Sequence, residues 1–222
     1  MKKYLLFSAK LSLGNYFSIF FIKRMKIVII GATGTIGKHI TTLLEKKHEV
    51  IRVGSTRGDY QVDITSEESV EALFKTLGPF DALVSTTGKA AFKPLKEMSG
   101  TDFQMGLLNK LMGQVNLVLI GQHYINPSGS FTLTSGILSE DPILAGTALS
   151  TVNGAINSFV KSASIELKND VRINAVSPGV VEDSPEFFDA FPGHIPVKME
   201  VVAAAYYKSV MGALSGQIIT AY

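Results

Sequence analysis

The residues best placed to do chemistry open the stretch Lys26–Gly37, Lys-Ile-Val-Ile-Ile-Gly-Ala-Thr-Gly-Thr-Ile-Gly, where an apolar run ends in glycines three apart at Gly31, Gly34 and Gly37. Ile27 to Ile30 reads as a buried strand, and the segment carrying Ile36, Ile40, Leu43 and Leu44 as an amphipathic helix, so the glycines sit in a strand–turn–helix corner. A side chain at Gly31 would obstruct the turn, one at Gly34 would keep the backbone from a diphosphate, and one at Gly37 would hold the helix off the strand. The amides around Thr33, Thr35 and Ile36, with the positive end of the new helix, then suit the phosphates of a dinucleotide. Alone, such a glycine string also fits a plain turn.

A second element of recognition follows the next strand, in Gly54-Ser-Thr-Arg-Gly58. There a bound dinucleotide would present its adenosine ribose. A carboxylate at this point accepts from the ribose 2′-hydroxyl of NAD, but this loop offers Ser55 and the guanidinium of Arg57, which suit a 2′-phosphate. The expected cofactor is therefore NADP, the alternative being an ordinary solvated arginine.

These residues must be positioned by strands alternating with helices. Strands are expected at Glu49–Val53, Tyr60–Ile64, Ala82–Val84, Ser130–Thr134, Arg172–Val176 and Gln217–Thr220. Between them fall helices from Ser66 to Gly78, over about 102–122, over about 147–168 and over about 198–214. That alternation implies an α/β fold: a single-domain, Rossmann-type, doubly wound parallel sheet of about seven strands with helices on both faces. With 222 residues, 46% of them hydrophobic, the chain can bury one substantial core. It has no cysteine and only four scattered histidines, so neither a disulfide framework nor a metal site is expected.

The net charge of +2 comes from the start of the chain, because residues 1–24 hold five basic residues and no acid, leaving 16 basic against 19 acidic residues elsewhere. No nucleic-acid surface is expected in the body. The longest uncharged run near the start, Leu11–Ile22, is too short and too polar to span a bilayer. Residues 1–24 are read as an N-terminal extension outside the fold, with residues 25–222 as the nucleotide-binding domain, and the expected location is cytoplasmic.

From residue 25 to 222 the sequence resembles the short-chain dehydrogenase/reductase family. The resemblance rests on the glycine turn, Asp63 after the third strand, Ser85-Thr-Thr-Gly88, Thr134-Ser135-Gly136, Arg172-Ile-Asn-Ala-Val-Ser-Pro-Gly179 and Ser215-Gly-Gln-Ile. It implies a small carbonyl or alcohol substrate, a homodimer or homotetramer, and cofactor contacts at Asp63, Ile64, Thr86, Gly88, Asn153, Pro178, Gly179 and Val181. The family's chemistry uses a Tyr-x-x-x-Lys pair, in which tyrosine moves the proton on the carbonyl oxygen and lysine lowers its pKa and holds the nicotinamide ribose. Here the aligned positions are Leu149 and Asn153, neither of which titrates.

The family's serine persists as Ser135, able either to polarise a carbonyl or to satisfy local backbone at a strand end. Its helix-four asparagine falls at Asn109 or Lys110, and spacing to Gly113 favours Lys110. Lysine and asparagine would then have exchanged helices, with Lys110 returning a positive charge to the pocket and Asn153 keeping the ribose hydrogen bonds. The alternative is a Lys110 that points to solvent. After Pro178-Gly179, Asp183 would repel a diphosphate, so either Ser184 takes the contact or the loop is held away. The segment Phe187–Pro196 lies where the family has a lid, and its aromatic residues are read as packing over the cofactor rather than as a sign of an apolar substrate. An oxidoreductase with an altered catalytic site (Ser135, Lys110, Asn153) is the first expectation, and a non-catalytic NADP(H)-binding sensor or structural oligomer the second.

Overall fold

A computed structural model describes residues 23–222, so residues 1–22 of the expected extension lie outside the described residues. Lys23 donates to the Asp81 carboxylate at 3.3 Å.

The apolar run of the glycine stretch forms β1 (Lys26–Ile30), followed by α1 (Gly37–Leu44). There follow β2 (Glu49–Gly54), β3 (Tyr60–Gln61), α2 (Glu67–Leu77) and β4 (Phe80–Ser85). The second half contains α3 (Gly100–Gly106), a π-helical stretch (Leu107–Met112), α4 (Gly113–Gly121), β5 (Ile125–Thr134) and α5 (Thr147–Glu166). It closes with β6 (Arg172–Pro178), α6 (Met199–Met211) and β7 (Ile218–Ala221). The strands form one seven-stranded sheet in the order β3-β2-β1-β4-β5-β6-β7, parallel throughout.

The central strands β1, β4 and β6 are buried on both faces because their alternating side chains feed two separate cores. In β1, Val28 and Ile30 join the layer built with Phe74, Leu117, Phe131 and Ile156 of α2, α4, β5 and α5. Ile27 and Ile29 join the opposite layer with Ile40, Leu44, Val202 and Tyr206 of α1 and α6. Helix α2 starts where Ser66 accepts a hydrogen bond from the Ser69 amide, with Glu67 and Glu68 in its first turn.

Several boundaries differ from the sequence reading. The third strand stops at Gln61 rather than reaching Ile64, because β2, its one neighbour, ends at Gly54, and the Val62 amide returns to the Gly54 carbonyl. The strand expected at 130–134 begins at Ile125, passing through Ser128 at φ 61° and a register shift against β4. The last two elements also shift, with α6 ending at Met211 and β7 running from Ile218 to Ala221. The helix expected over 102–122 is interrupted by the π-helical stretch, whose wider turn re-aims the side chains after it.

Candidate functional site

The carboxyl ends of β1, β4, β5 and β6 converge where the strand order reverses between β1 and β4, the position at which open α/β sheets leave a crevice. Three connected chambers lie there. The largest, about 950 Å³, is lined by Gly31, Thr33, Gly34 and Thr35 of the glycine turn, Ser55 and Arg57 after β2, Asp63 and Ile64, and Thr86 and Gly88 after β4. A second, about 290 Å³, is lined by Ile36, Thr86, Gly88, Lys110, Ser135, Leu149, Asn153, Pro178 and Gly179. The third, about 560 Å³, shares Ile36, Gly88, Leu149, Gly179 and Phe191 with the second and Phe187 with the first, and adds Phe92, Met105 and Val181.

The glycine turn is built for a close backbone approach. Gly31 sits at φ +86°, and a Cβ there would lie 2.8 Å from the Thr86 hydroxyl oxygen. Thr86 in turn donates from that hydroxyl toward the Ile30 and Gly31 carbonyls, tying the end of β4 to the end of β1. Gly37 lines none of the three chambers. A Cβ on it would meet the Gly31 carbonyl oxygen at 2.0 Å, so it lets the helix close on the turn itself rather than on the strand. Among the described residues, no hydrogen-bond acceptor is found for the amides of Thr33, Thr35 and Ile36. These unpartnered donors beside a large chamber fit a diphosphate.

Asp63 is held below the usual carboxylate range by bonds from the Thr65 hydroxyl and amide. Asp183 does not face the turn: it pairs with Lys38 at 2.8 Å and His39 at 2.9 Å, both on α1, and those bonds hold its pKa down. Its charge is thus neutralised by the helix it might have been expected to repel a ligand from, and Ser184 lines the third chamber. Phe187 is 45% exposed and borders the first and third chambers, so it stands at the edge of the space a dinucleotide would fill. Beyond it, His194 meets Asp141 at 3.3 Å.

Lys110 does not point to solvent. It is 8% exposed, and its Nζ donates to the carbonyls of Ser135 at 3.3 Å and Thr134 at 3.4 Å. The two candidates for the helix-four position are thereby separated, since Asn109 accepts from the Lys89 amide at 2.7 Å and borders the first chamber instead. Gly88, at φ +121°, makes room for the lysine: a Cβ there would stand 2.7–2.9 Å from Lys110 Cα, Cγ and Cβ. Gln114, fully buried four residues on, takes the Thr134 amide at 2.8 Å and donates to the Thr134 carbonyl at 2.9 Å, fixing the end of β5 beneath the lysine. Sequence reasoning passed over Gln114; its signal is an amide at i+4 from Lys110 in an otherwise largely apolar helix.

Opposite Lys110, Asn153 is 3% exposed, donates to the Gly136 carbonyl at 3.4 Å, and leaves its Oδ1 without a partner. Ser135 is 3% exposed, with a hydroxyl 3.5 Å from the Val176 carbonyl. Leu149, which the sequence reading aligns with the family's tyrosine, borders the second and third chambers. The tyrosine nearest the end of β5 is Tyr206 on α6, whose hydroxyl is bonded to Thr134 in the opposite layer and pushed up in pKa by burial. No group of three or more His, Cys, Asp or Glu able to hold a metal occurs among the described residues, and no helix among them is long and apolar enough to cross a membrane.

A family model described as enoyl-(acyl carrier protein) reductase matches residues 31–210. The short-chain dehydrogenase/reductase ucsE of Acremonium sp is 28% identical over 135 residues, 57% of this chain and 50% of that protein, so the chain spans about half the length of that curated relative. The crystal structure of the protein lin1944 from Listeria innocua is 46% identical, with a TM-score of 0.88, covering 89% of this chain and all of that one. A small-chain dehydrogenase crystallised in complex with NADPH is 28% identical, with a TM-score of 0.80, covering 89% of this chain and 96% of that one.

Burial lowers the Lys110 pKa from 10.5 to about 8. A base whose pKa is depressed on folding costs stability wherever the unfolded chain still holds its proton. The cost is full below about pH 8, fades between about pH 8 and 10.5, and is gone above that. Lys110→Met is therefore expected to unfold about 1–3 kcal/mol harder than wild type at pH 7, with the gap narrowing by pH 10, in urea titrations at both pH values. A variant of equal or lower stability at pH 7 contradicts this.

Proposed function

The chain belongs to the short-chain dehydrogenase/reductase family, and we propose that within it the protein binds NADP(H) and exchanges hydride with a small carbonyl or alcohol substrate. The observation that carries this reading is the first chamber, where unpartnered amides of the glycine turn face Arg57 across a space large enough for a dinucleotide. The 28% identical relative crystallised with NADPH supports the same cofactor. The turn amides hold the diphosphate, Ser55 and Arg57 the 2′-phosphate, Asp63 and Ile64 the adenine, and Thr86, Gly88, Pro178, Gly179 and Val181 the nicotinamide half. When bound, the reduced cofactor supplies a hydride.

The remaining work falls to the residues of the second chamber. The Asn153 Oδ1, buried and free to accept, takes a ribose hydroxyl hydrogen. Ser135 orients the substrate oxygen, and the Lys110 ammonium stabilises charge that develops on it. A missing general acid costs about 10²–10⁴-fold in rate rather than all of it. Leu149 at the acid position favours a second reading, in which the cofactor is bound without turnover and orders the loop at 180–197 for a partner to sense.

We further propose a homodimer or homotetramer formed through the outer face of α3 and α4. Leu108 and Met112 of the π-helical stretch between them and Leu119 of α4 lie exposed there at helical spacing. Sedimentation velocity is expected to show twice or four times the 23.9 kDa chain mass; a lone 23.9 kDa species removes this part.

Calorimetric titration is expected to show NADPH binding more tightly than NADH, with Arg57→Ala weakening NADPH about ten-fold and leaving NADH unchanged. NADPH consumption over ketones, aldehydes and quinones then separates the enzyme from the sensor. Binding without turnover selects the second reading, and no heat with either dinucleotide defeats both.

A further inference from the structure

The second and third chambers pair a buried cation with an apolar wall. Lys110 is the one ionisable residue lining the second chamber. Lys89 is the one lining the third, so neither chamber carries an acid. Among the described residues no carboxylate pairs with Lys110, whose hydrogen bonds are long ones to two carbonyls. A buried ammonium left this way is costly, and an anion close to it is the ordinary remedy. Across the opening, the third chamber is lined by Phe92, Met105, Leu138, Leu149, Phe187 and Phe191, which suits a flat hydrophobic body.

The chemistry of reduction narrows the choice further. Hydride addition to a saturated ketone leaves an alkoxide, whose conjugate acid has a pKa of about 16, like that of water. Such an oxygen needs a proton as the hydride arrives, and the position that would supply it holds Leu149. Hydride addition to an α,β-unsaturated carbonyl leaves an enolate. In a quinone, loss of a proton from the carbon that took the hydride then turns this enolate into a phenolate, for which a phenol with a pKa of about 10 is representative. An oxyanion that weakly basic needs a counter-charge more than an acid, and a counter-charge is what Lys110 offers.

We propose that the paired chambers take a planar, conjugated carbonyl acceptor, a quinone or enone, with its oxygen against the Lys110 ammonium and Ser135 and its apolar body over Leu149 and Phe191. In its reduction the acceptor carbon gains a hydride from the reduced nicotinamide dinucleotide, which is oxidised. The acceptor's π electrons move to its oxygen, and that oxygen takes its proton from solvent. As a substrate class this rests on the NADP(H) reading above; as a binding site for an aromatic oxyanion it does not.

The test separates the two. 4-Nitrophenol, whose phenolate absorbs visible light and which ionises near neutral pH, is titrated into the cofactor-free protein. The bound probe is expected to favour the phenolate about ten-fold more than in water. Lys110→Met is expected to abolish that preference while binding uncharged nitrobenzene as wild type does. Leu149→Trp, which fills the apolar wall and leaves the lysine in place, is expected to weaken both probes at least ten-fold. An unshifted spectrum in wild type, an equal shift in Lys110→Met, or full binding in Leu149→Trp overturns the site. With NADPH at a concentration shown to bind, a naphthoquinone is expected to turn over at least 100-fold faster than cyclohexanone, and equal rates overturn the substrate class. If NADPH gives no binding heat while the phenolate shift is present, the cofactor reading fails and the oxyanion site stands.

Discussion

A lysine ammonium held at the carboxyl end of the sheet, without a carboxylate beside it, is the constraint around which this site is arranged. Three features converge on it. Gly88 has no side chain to exclude it, Gln114 clamps the backbone of Thr134 beneath it, and the π-helical stretch carries it. Each has an identifiable physical cost: a residue in the left-handed region, a buried amide that must find every partner, and a widened helical turn. Such costs are tolerated where the arrangement serves a ligand, and the chamber in front of Lys110, lined by Ser135 and Asn153, gives one a place to sit.

The rest of the fold brings this chamber against a dinucleotide-sized one. Parallel strands send their carboxyl ends to one edge, and the reversal of strand order between β1 and β4 opens that edge. Thr86 links those two strands and borders both chambers. Asp183 ties the loop after β6 to α1 through Lys38 and His39, so the aromatic side chains of the following segment close over the chambers from a fixed origin. The two chambers are thus joined by a few hydrogen bonds and ion pairs between elements distant in sequence.

Much of the fold was legible from local pattern. The strand–glycine–helix corner, the Ser66 cap with its acids, and the alternation of apolar strands with helices each follow from rules that act over a few residues. What escaped depends on contacts that no local window contains. The spacing to Gly113 already favours Lys110 over Asn109, but that its side chain is buried depends on the absent side chain of Gly88, more than twenty residues away. The partners of Asp183 lie on α1, far back along the chain. The early end of β3 is set by where its neighbour stops. The role of Gln114 emerges only once β5 lies beneath it.

The central claim is that Lys110 is a buried, unpaired cation at the centre of the site. The most direct measurement is an NMR titration of its side-chain nitrogen in the ligand-free protein, assigned by comparison with Lys110→Met. The account predicts a midpoint near pH 8, well below the ordinary lysine value of 10.5. A midpoint at or above 10.5 would show a lysine that is solvated or paired, and would contradict it.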